Sequence, residues 1–183
     1  PPGLAPMGLD ALDVSRVEAG FILQDVDYFS ATRALIDSRK SSPFELGLGW
    51  SVHIGRGPYL GSAALAAEKA AGSPWAFVGL EIDWEELEGL FDEHGLPPAL
   101  PTSAWRTPVP VYGQAGGSAQ VGQATSGAWS PLLKRNLALA TVQSASSALG
   151  TRLQIEQTVE FERRTVTATV VERPFFDPER KRS

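Results

Sequence analysis

From Trp75 to Glu172 the chain is divided into six short runs that favour extended backbone, and this rhythm limits the possible folds more than any other feature. The runs are Trp75–Ile82, Pro108–Tyr112, Gln120–Thr125, Leu137–Gln143, Arg152–Val159 and Arg164–Glu172. Clusters of Gly, Ser and Pro separate them and supply turns. In the last run Val166, Ala168 and Val170 alternate with Thr165, Thr167 and Thr169, the period of a strand with one buried face. Six short strands joined in this way predict a small antiparallel β-barrel or a jelly-roll-like sandwich. One helix interrupts them. Asp83 is its N-cap, Glu86 completes a capping box, Leu87, Leu90 and Phe91 form its apolar face, and Gly95 ends it.

The residues before Trp75 read differently. Met7 to Gly20 predicts a helix in which Leu9, Leu12, Arg16 and Ala19 share one face. Val14, Val17 and Phe21 fall on other faces, so burial on most sides is expected. Leu46–Ile54 is a strand candidate, Gly55 to Pro58 a turn, and Ser62–Ala71 an alanine-rich helix stopped by Gly72. A boundary near Gly72–Pro74 divides the chain into residues 1–73 and 74–183. The fold class is therefore α+β.

The formal net charge of −5 argues against a nucleic-acid partner, which needs a basic stripe. The basic tail Arg180, Lys181, Arg182 is expected to be a frayed end. The chain has no cysteine, which excludes disulfides and thiolate chemistry and fits a cytoplasmic location. No apolar run approaches the roughly 18 residues of a membrane span, and no signal-peptide pattern is visible. The chain starts at Pro1-Pro2 rather than methionine, so it is expected to be part of something longer.

Chemistry is sparse. His53 and His94 have no carboxylates at ligand spacing, so no metal is assigned. The glycines between Gly55 and Gly61 read as a turn rather than a dinucleotide loop, because Pro58 removes an N–H that a phosphate needs. Glu85, Glu86, Glu88, Asp92 and Glu93 read as a solvated helix face. Arg16 is the exception. On a largely apolar helix it must either pair with Asp13, one turn earlier, or present its planar guanidinium to a ligand carboxylate in a two-pronged contact. The expectation is that it faces a cleft completed by another stretch of polypeptide.

Several segments, taken in order, resemble the glycine-cleavage T-protein (aminomethyltransferase) family. Residues Gly8 to Gly20, with Ser15-Arg16-Val17-Glu18-Ala19-Gly20 at their end, are similar to the family's helix closing in LRLEAG. Pro43 to Trp50 resembles its segment ending in GLGW, and Tyr59 to Leu65 a variant of FIGR-x-AL. Arg106 with Val109, Thr125-Ser126-Gly127 before Ser130-Pro131, Leu137 to Ala140, and Arg173-Pro174-Phe175 continue the series.

The resemblance implies a tetrahydrofolate-dependent one-carbon transferase, receiving a methyl or aminomethyl group from a small donor. Residues 1–73 would be the end of the folate-binding domain and residues 74–183 the C-terminal barrel domain. It places the catalytic aspartate and a pterin-binding glutamate in an N-terminal half, so no catalytic residue is assigned here, and it sets Arg16 beside the folate. Trp50, Tyr59 and Trp129 are candidates to line one wall, with burial in a core as the plainer reading. Ser15 replaces a leucine, the glycine usual after Gly20 is missing, and residues from about Ala31 to Lys40 are inserted. These departures flank the channel and bear on the donor more than on the folate. The alternative is a non-catalytic folate-binding or structural relative.

Overall fold

A computed structural model describes residues 3, 5–114 and 119–179. The basic tail from Arg180 lies outside the described residues. The elements are α1 (Leu9–Glu18), α2 (Ser62–Ala71), β1 (Trp75–Ile82), α3 (Trp84–Asp92), β2 (Val109–Tyr112), β3 (Gln120–Ser130), β4 (Arg135–Gln143), β5 (Arg152–Val159) and β6 (Glu162–Val171). The fold is α+β, and its sheet is a closed barrel in the order β1-β4-β3-β2-β5-β6. Every neighbouring pair is antiparallel, and β6 closes on β1 from Gly79↔Val171 to Ile82↔Ala168. Of the two architectures the sequence allows, the barrel is the one formed. Closure gives every strand a neighbour on both sides, so no strand among the described residues is left as a free edge.

The pleat explains the interior. Val78, Leu80 and Ile82 of β1, Ala138, Ala140 and Val142 of β4, Leu153 and Ile155 of β5, and Val166, Ala168 and Val170 of β6 form one buried cluster. Alternation along each strand sends these residues inward. The intervening residues of β1 and β4 are not left to water. Phe77, Leu137 and Leu139 point outward and join a second cluster with Val17, Leu46 and Ala128. Residues 13–48 therefore cover the outer face of β1, β3 and β4, and burial on both faces accounts for the unbroken apolar run of β4.

Helix α3 starts as its sequence predicts, with the Asp83 side chain accepting the Glu86 N–H at 3.0 Å. Glu86 does not reach back to complete the box. Its two oxygens accept the Thr167 N–H at 2.5 Å and the Thr167 hydroxyl at 2.8 Å, tying α3 to β6 while Leu87 enters the barrel cluster.

Two further expectations fail. Leu46–Ile54 is not a strand. It forms tight single turns at Gly49–Ser51 and Ile54–Arg56. Gly47 adopts φ +73°, and a Cβ on Gly49 would stand 2.9 Å from the Phe44 ring, so the two glycines serve a compact turn. Helix α1 also turns a different face inward. Leu9 and Leu12 are 83% and 54% exposed, while Asp13, Val17 and Glu18 are buried. The apolar stripe does not select the buried face. The barrel wall beneath offers hydroxyls and a guanidinium, so the acidic face docks there.

Candidate functional site

The densest polar arrangement lies where α1 and the following loop meet β3. Asp27 is its centre, with a side chain wholly shielded from solvent. One carboxylate oxygen accepts the hydroxyls of Thr125 and Ser126, each at 2.6 Å. The other accepts Arg16 Nη1 and the Leu23 N–H, each at 2.8 Å. Four donors satisfy the charge, as a buried carboxylate requires.

Local backbone makes this possible. Successive side chains on a regular strand point to opposite faces. Ala124 pairs with Ala140 and Ser126 with Leu139, leaving Thr125 as the extra residue of a bulge. The bulge places Thr125 and Ser126 on the same outer face, so both reach one oxygen.

Arg16 Nε donates to Asp13 at 2.7 Å, and Nη1 also contacts Ser126 Oγ at 2.9 Å. Asp13 accepts a second guanidinium through Arg106 Nε at 2.9 Å. Burial raises the Asp13 pKa, but the hydrogen bonds and charges of Arg106 and Arg16 outweigh it and hold it below the usual carboxylate range. Arg16 is therefore turned into the joint between helix and barrel rather than towards an open cleft. Nε and Nη1, one member of each of its two donor forks, are already committed to Asp13, Asp27 and Ser126. Only Nη2, buried, has no partner among the described residues.

A second seam runs alongside. Ser130 donates to Glu18 at 2.5 Å and accepts the Leu133 N–H at 2.9 Å. The Phe176 N–H reaches the Glu18 carbonyl at 2.9 Å. Arg173 lies over the Phe77 ring, 4.5 Å from its centroid, and donates to the Phe77 carbonyl at 2.9 Å. The motifs at Arg16–Glu18, Thr125–Gly127, Ser130 and Arg173–Phe175 thus meet in one place. The sequence assigns no role to Asp27, whereas Ser126 and Ser130 lie within the Thr125–Pro131 segment, which is the signal that marks them.

The remaining candidates are scattered. His53 and His94 are exposed, and among the described residues no group of three or more His, Cys, Asp or Glu is placed to hold a metal ion. Trp50 and Tyr59 are exposed, whereas Trp129 is half-buried against Trp84 with ring centroids 5.0 Å apart. Trp129 also borders an apolar groove of about 610 Å³ between α1 and the 100–102 loop. A cleft of about 460 Å³ opens between the loop of residues 26–45 and the barrel wall. Glu45 lines it, and burial pushes its carboxyl pKa up against the opposing Ser42 N–H, with the nearby Glu68 charge adding to the rise.

These features define an antiparallel six-stranded barrel domain whose outer wall is bonded to a preceding helical segment through buried carboxylates. Residues 99–177 match the family model described as the glycine cleavage T-protein C-terminal barrel domain. These residues carry the C-terminal barrel domain of the glycine cleavage T-protein family. It is 35% identical over 175 residues to an aminomethyltransferase of Synechococcus elongatus, covering 95% of this chain and 38% of that protein. It is 33% identical over 182 residues to a trimethylamine-oxide aldolase of Ruegeria pomeroyi, covering 98% of this chain and 19% of the aldolase. The chain therefore spans well under half the length of these relatives. The crystal structure of the glycine cleavage system aminomethyltransferase T from Bartonella henselae superposes with a TM-score of 0.64 over 91% of this chain and 38% of that one, at 20% identity, a likeness of fold.

Proposed function

We propose that this chain is the C-terminal portion of a tetrahydrofolate-dependent one-carbon transferase, with residues 1–73 ending a folate-binding domain and residues 74–183 forming the barrel domain. The intact protein would pass a methyl or aminomethyl group from a small donor to tetrahydrofolate in the cytoplasm. The catalytic group would come from an N-terminal half. The similarity to an aminomethyltransferase along 95% of the chain supports the reaction class. The similarity to a trimethylamine-oxide aldolase supports leaving the donor open.

The observation that carries a folate role is the unpartnered Arg16 Nη2. A buried donor without an acceptor is costly, and an acceptor oxygen or nitrogen of the cofactor would satisfy it. Arg16 would thus contribute one charge-assisted hydrogen bond, and the rest of the joint would hold the guanidinium still. When bound, tetrahydrofolate supplies the accepting nitrogen for the one-carbon unit. The part of this chain is to orient and to exclude water.

A second reading has its own support. Arg16 already bonds Asp13, Asp27 and Ser126, so its role is structural and the chain is a non-catalytic relative. Arg16→Lys in the full-length protein separates the two, with reduced-folate titration followed by tryptophan fluorescence and the melting midpoint recorded beside it. Folate binding weakened by about 1–3 kcal/mol, the scale of a charge-assisted contact, supports the first reading. A lowered midpoint with unchanged affinity supports the second. The 183 residues alone should transfer nothing to tetrahydrofolate, and turnover by them would show the catalytic group to be misplaced.

A further inference from the structure

The cleft beside the 26–45 loop borders the joint that holds Arg16, sharing Asp27 and Thr125 with it, but the rest of its lining is chemically distinct. Three aromatic side chains line it, Tyr28 and Phe29 from the loop and Trp75 from the start of β1, together with Arg39, Lys40 and Glu45. Its volume of about 460 Å³ falls within the roughly 300–1,000 Å³ of small-molecule sites, which combine apolar walls with a few convergent polar groups.

Charge in the cleft is unevenly committed. Asp27 also lines it, but Arg16 and three other donors satisfy that carboxylate. Glu45 accepts the Ser42 N–H at 2.9 Å. Lys40 is held by Asp37 at 2.5 Å. Arg39 has no ion pair among the described residues, so its guanidinium is the uncommitted charge at the mouth. The segment carrying it is fastened at its base, where the Ser41 N–H meets the Phe29 carbonyl at 3.3 Å and Phe29 pairs with Lys40. This fastening sets Arg39 one residue from the Phe29–Lys40 bridge, and Arg39 lines the same cleft as the three aromatic residues.

We infer that this cleft binds a small molecule made of a flat ring bearing an anionic group, with the ring against Tyr28, Phe29 and Trp75 and the anion on Arg39. Ring faces favour a planar π-system, and a guanidinium fork favours a carboxylate or phosphate. The site is independent of the folate reading: Arg39 variants report on the cleft and Arg16 variants on the joint.

Four probes test it on the full 183-residue chain. Benzoate and adenosine monophosphate carry a ring and an anion, while benzamide and adenosine are their uncharged counterparts. Amide chemical shifts locate binding, and tryptophan fluorescence measures it. Saturable binding of one anionic probe is expected at a Kd on the order of 1 mM or tighter, with shifts confined to residues 26–45, Trp75 and β3. The uncharged counterpart and Arg39→Gln should each weaken binding about tenfold. Arg39 is exposed and ties down no other element, so the variant should melt with the parent. The tighter of the two anions identifies the carboxylate or the phosphate as the natural group. Absent saturation, shifts elsewhere, equal binding of charged and uncharged probes, or an unchanged Kd in Arg39→Gln would overturn the assignment.

Discussion

Ser126 donates a 2.6 Å hydrogen bond to Asp27 from 99 residues further along the chain, and this bond joins the helical segment to the barrel wall. Four donors, the Arg16 guanidinium among them, occupy the Asp27 carboxylate, so its part in this arrangement is to hold the joint. Asp27→Asn keeps the shape but leaves Arg16 with one carboxylate instead of two. Breaking a buried ion pair from one side costs about 3–5 kcal/mol. Denaturant unfolding of the variant should lose stability on that scale, and Ser126→Ala about 1–3 kcal/mol. A double-mutant cycle should show strong coupling. Additive losses would mean that the bond does not carry the joint.

Gly79 sits at the other seam. A Cβ there would stand 2.7 Å from the Phe175 ring and 3.0 Å from Arg173 Cγ. The clash is with side chains, so the outcome is displacement of the terminal segment rather than collapse of the barrel. Gly79→Ala should lose about 1–3 kcal/mol, as overpacking does, and should expose residues 172–179 to limited proteolysis before the strands are cut.

Acid dependence should carry two opposed contributions. The Asp13 pKa is lowered in the folded state, so its stabilisation is present above the ordinary value of 3.8 and is lost as pH falls through the depressed one. The Glu45 pKa is raised above 4.5, so its contribution runs the other way. It favours the fold fully below 4.5 and is lost as pH rises through the folded pKa. Melting midpoints of Glu45→Gln should therefore be less sensitive to pH just above 4.5 than those of the parent. Arg106→Gln should shrink this acid-end loss and move it upward in pH, because Asp13 loses one of the two cations that depress its pKa. Unaltered profiles in both variants would contradict these assignments.

Glu86 offers a further check. It tethers α3 to β6 through both the N–H and the hydroxyl of Thr167. Glu86→Ala leaves the Thr167 N–H without its acceptor while Asp83 still caps the helix. Amide exchange should rise in α3 and around Thr167, with the Asp83 cap on the residue-86 N–H preserved. The expected loss is about 1–3 kcal/mol, the scale of a hydrogen bond to a charged group.

Much of the barrel is legible in the amino-acid order because it depends on local rules. Alternation places Val166, Ala168 and Val170 on one face whatever else the chain does, and Asp83 caps α3 within three residues of itself. Leu46–Ile54 misleads because an apolar, aromatic run reads as a strand when its partners are unknown. Here Leu46 packs on β1 and β4 while the segment itself forms no strand pairing among the described residues. The helix that closes at Glu18 misleads for the same reason. Leu9 and Leu12 make an apolar stripe, yet the surface available to it presents Ser126, Ser130 and Arg106. Which face of α1 is buried is thus decided by the barrel, not by the helix.

Local pattern alone determined where the six barrel strands and the three α-helices begin, because a period of two, a cap and a glycine stop act over a few residues, although β3 runs on to Ser130 rather than stopping at Thr125. Only the tertiary structure decided that Arg16 turns inward, that Thr125 and Ser126 share an outer face, and that Asp27 receives both. Those outcomes depend on a bulge and on contacts between residues about a hundred positions apart. No short-range preference encodes such contacts, and only closure of the barrel brings them within hydrogen-bond reach.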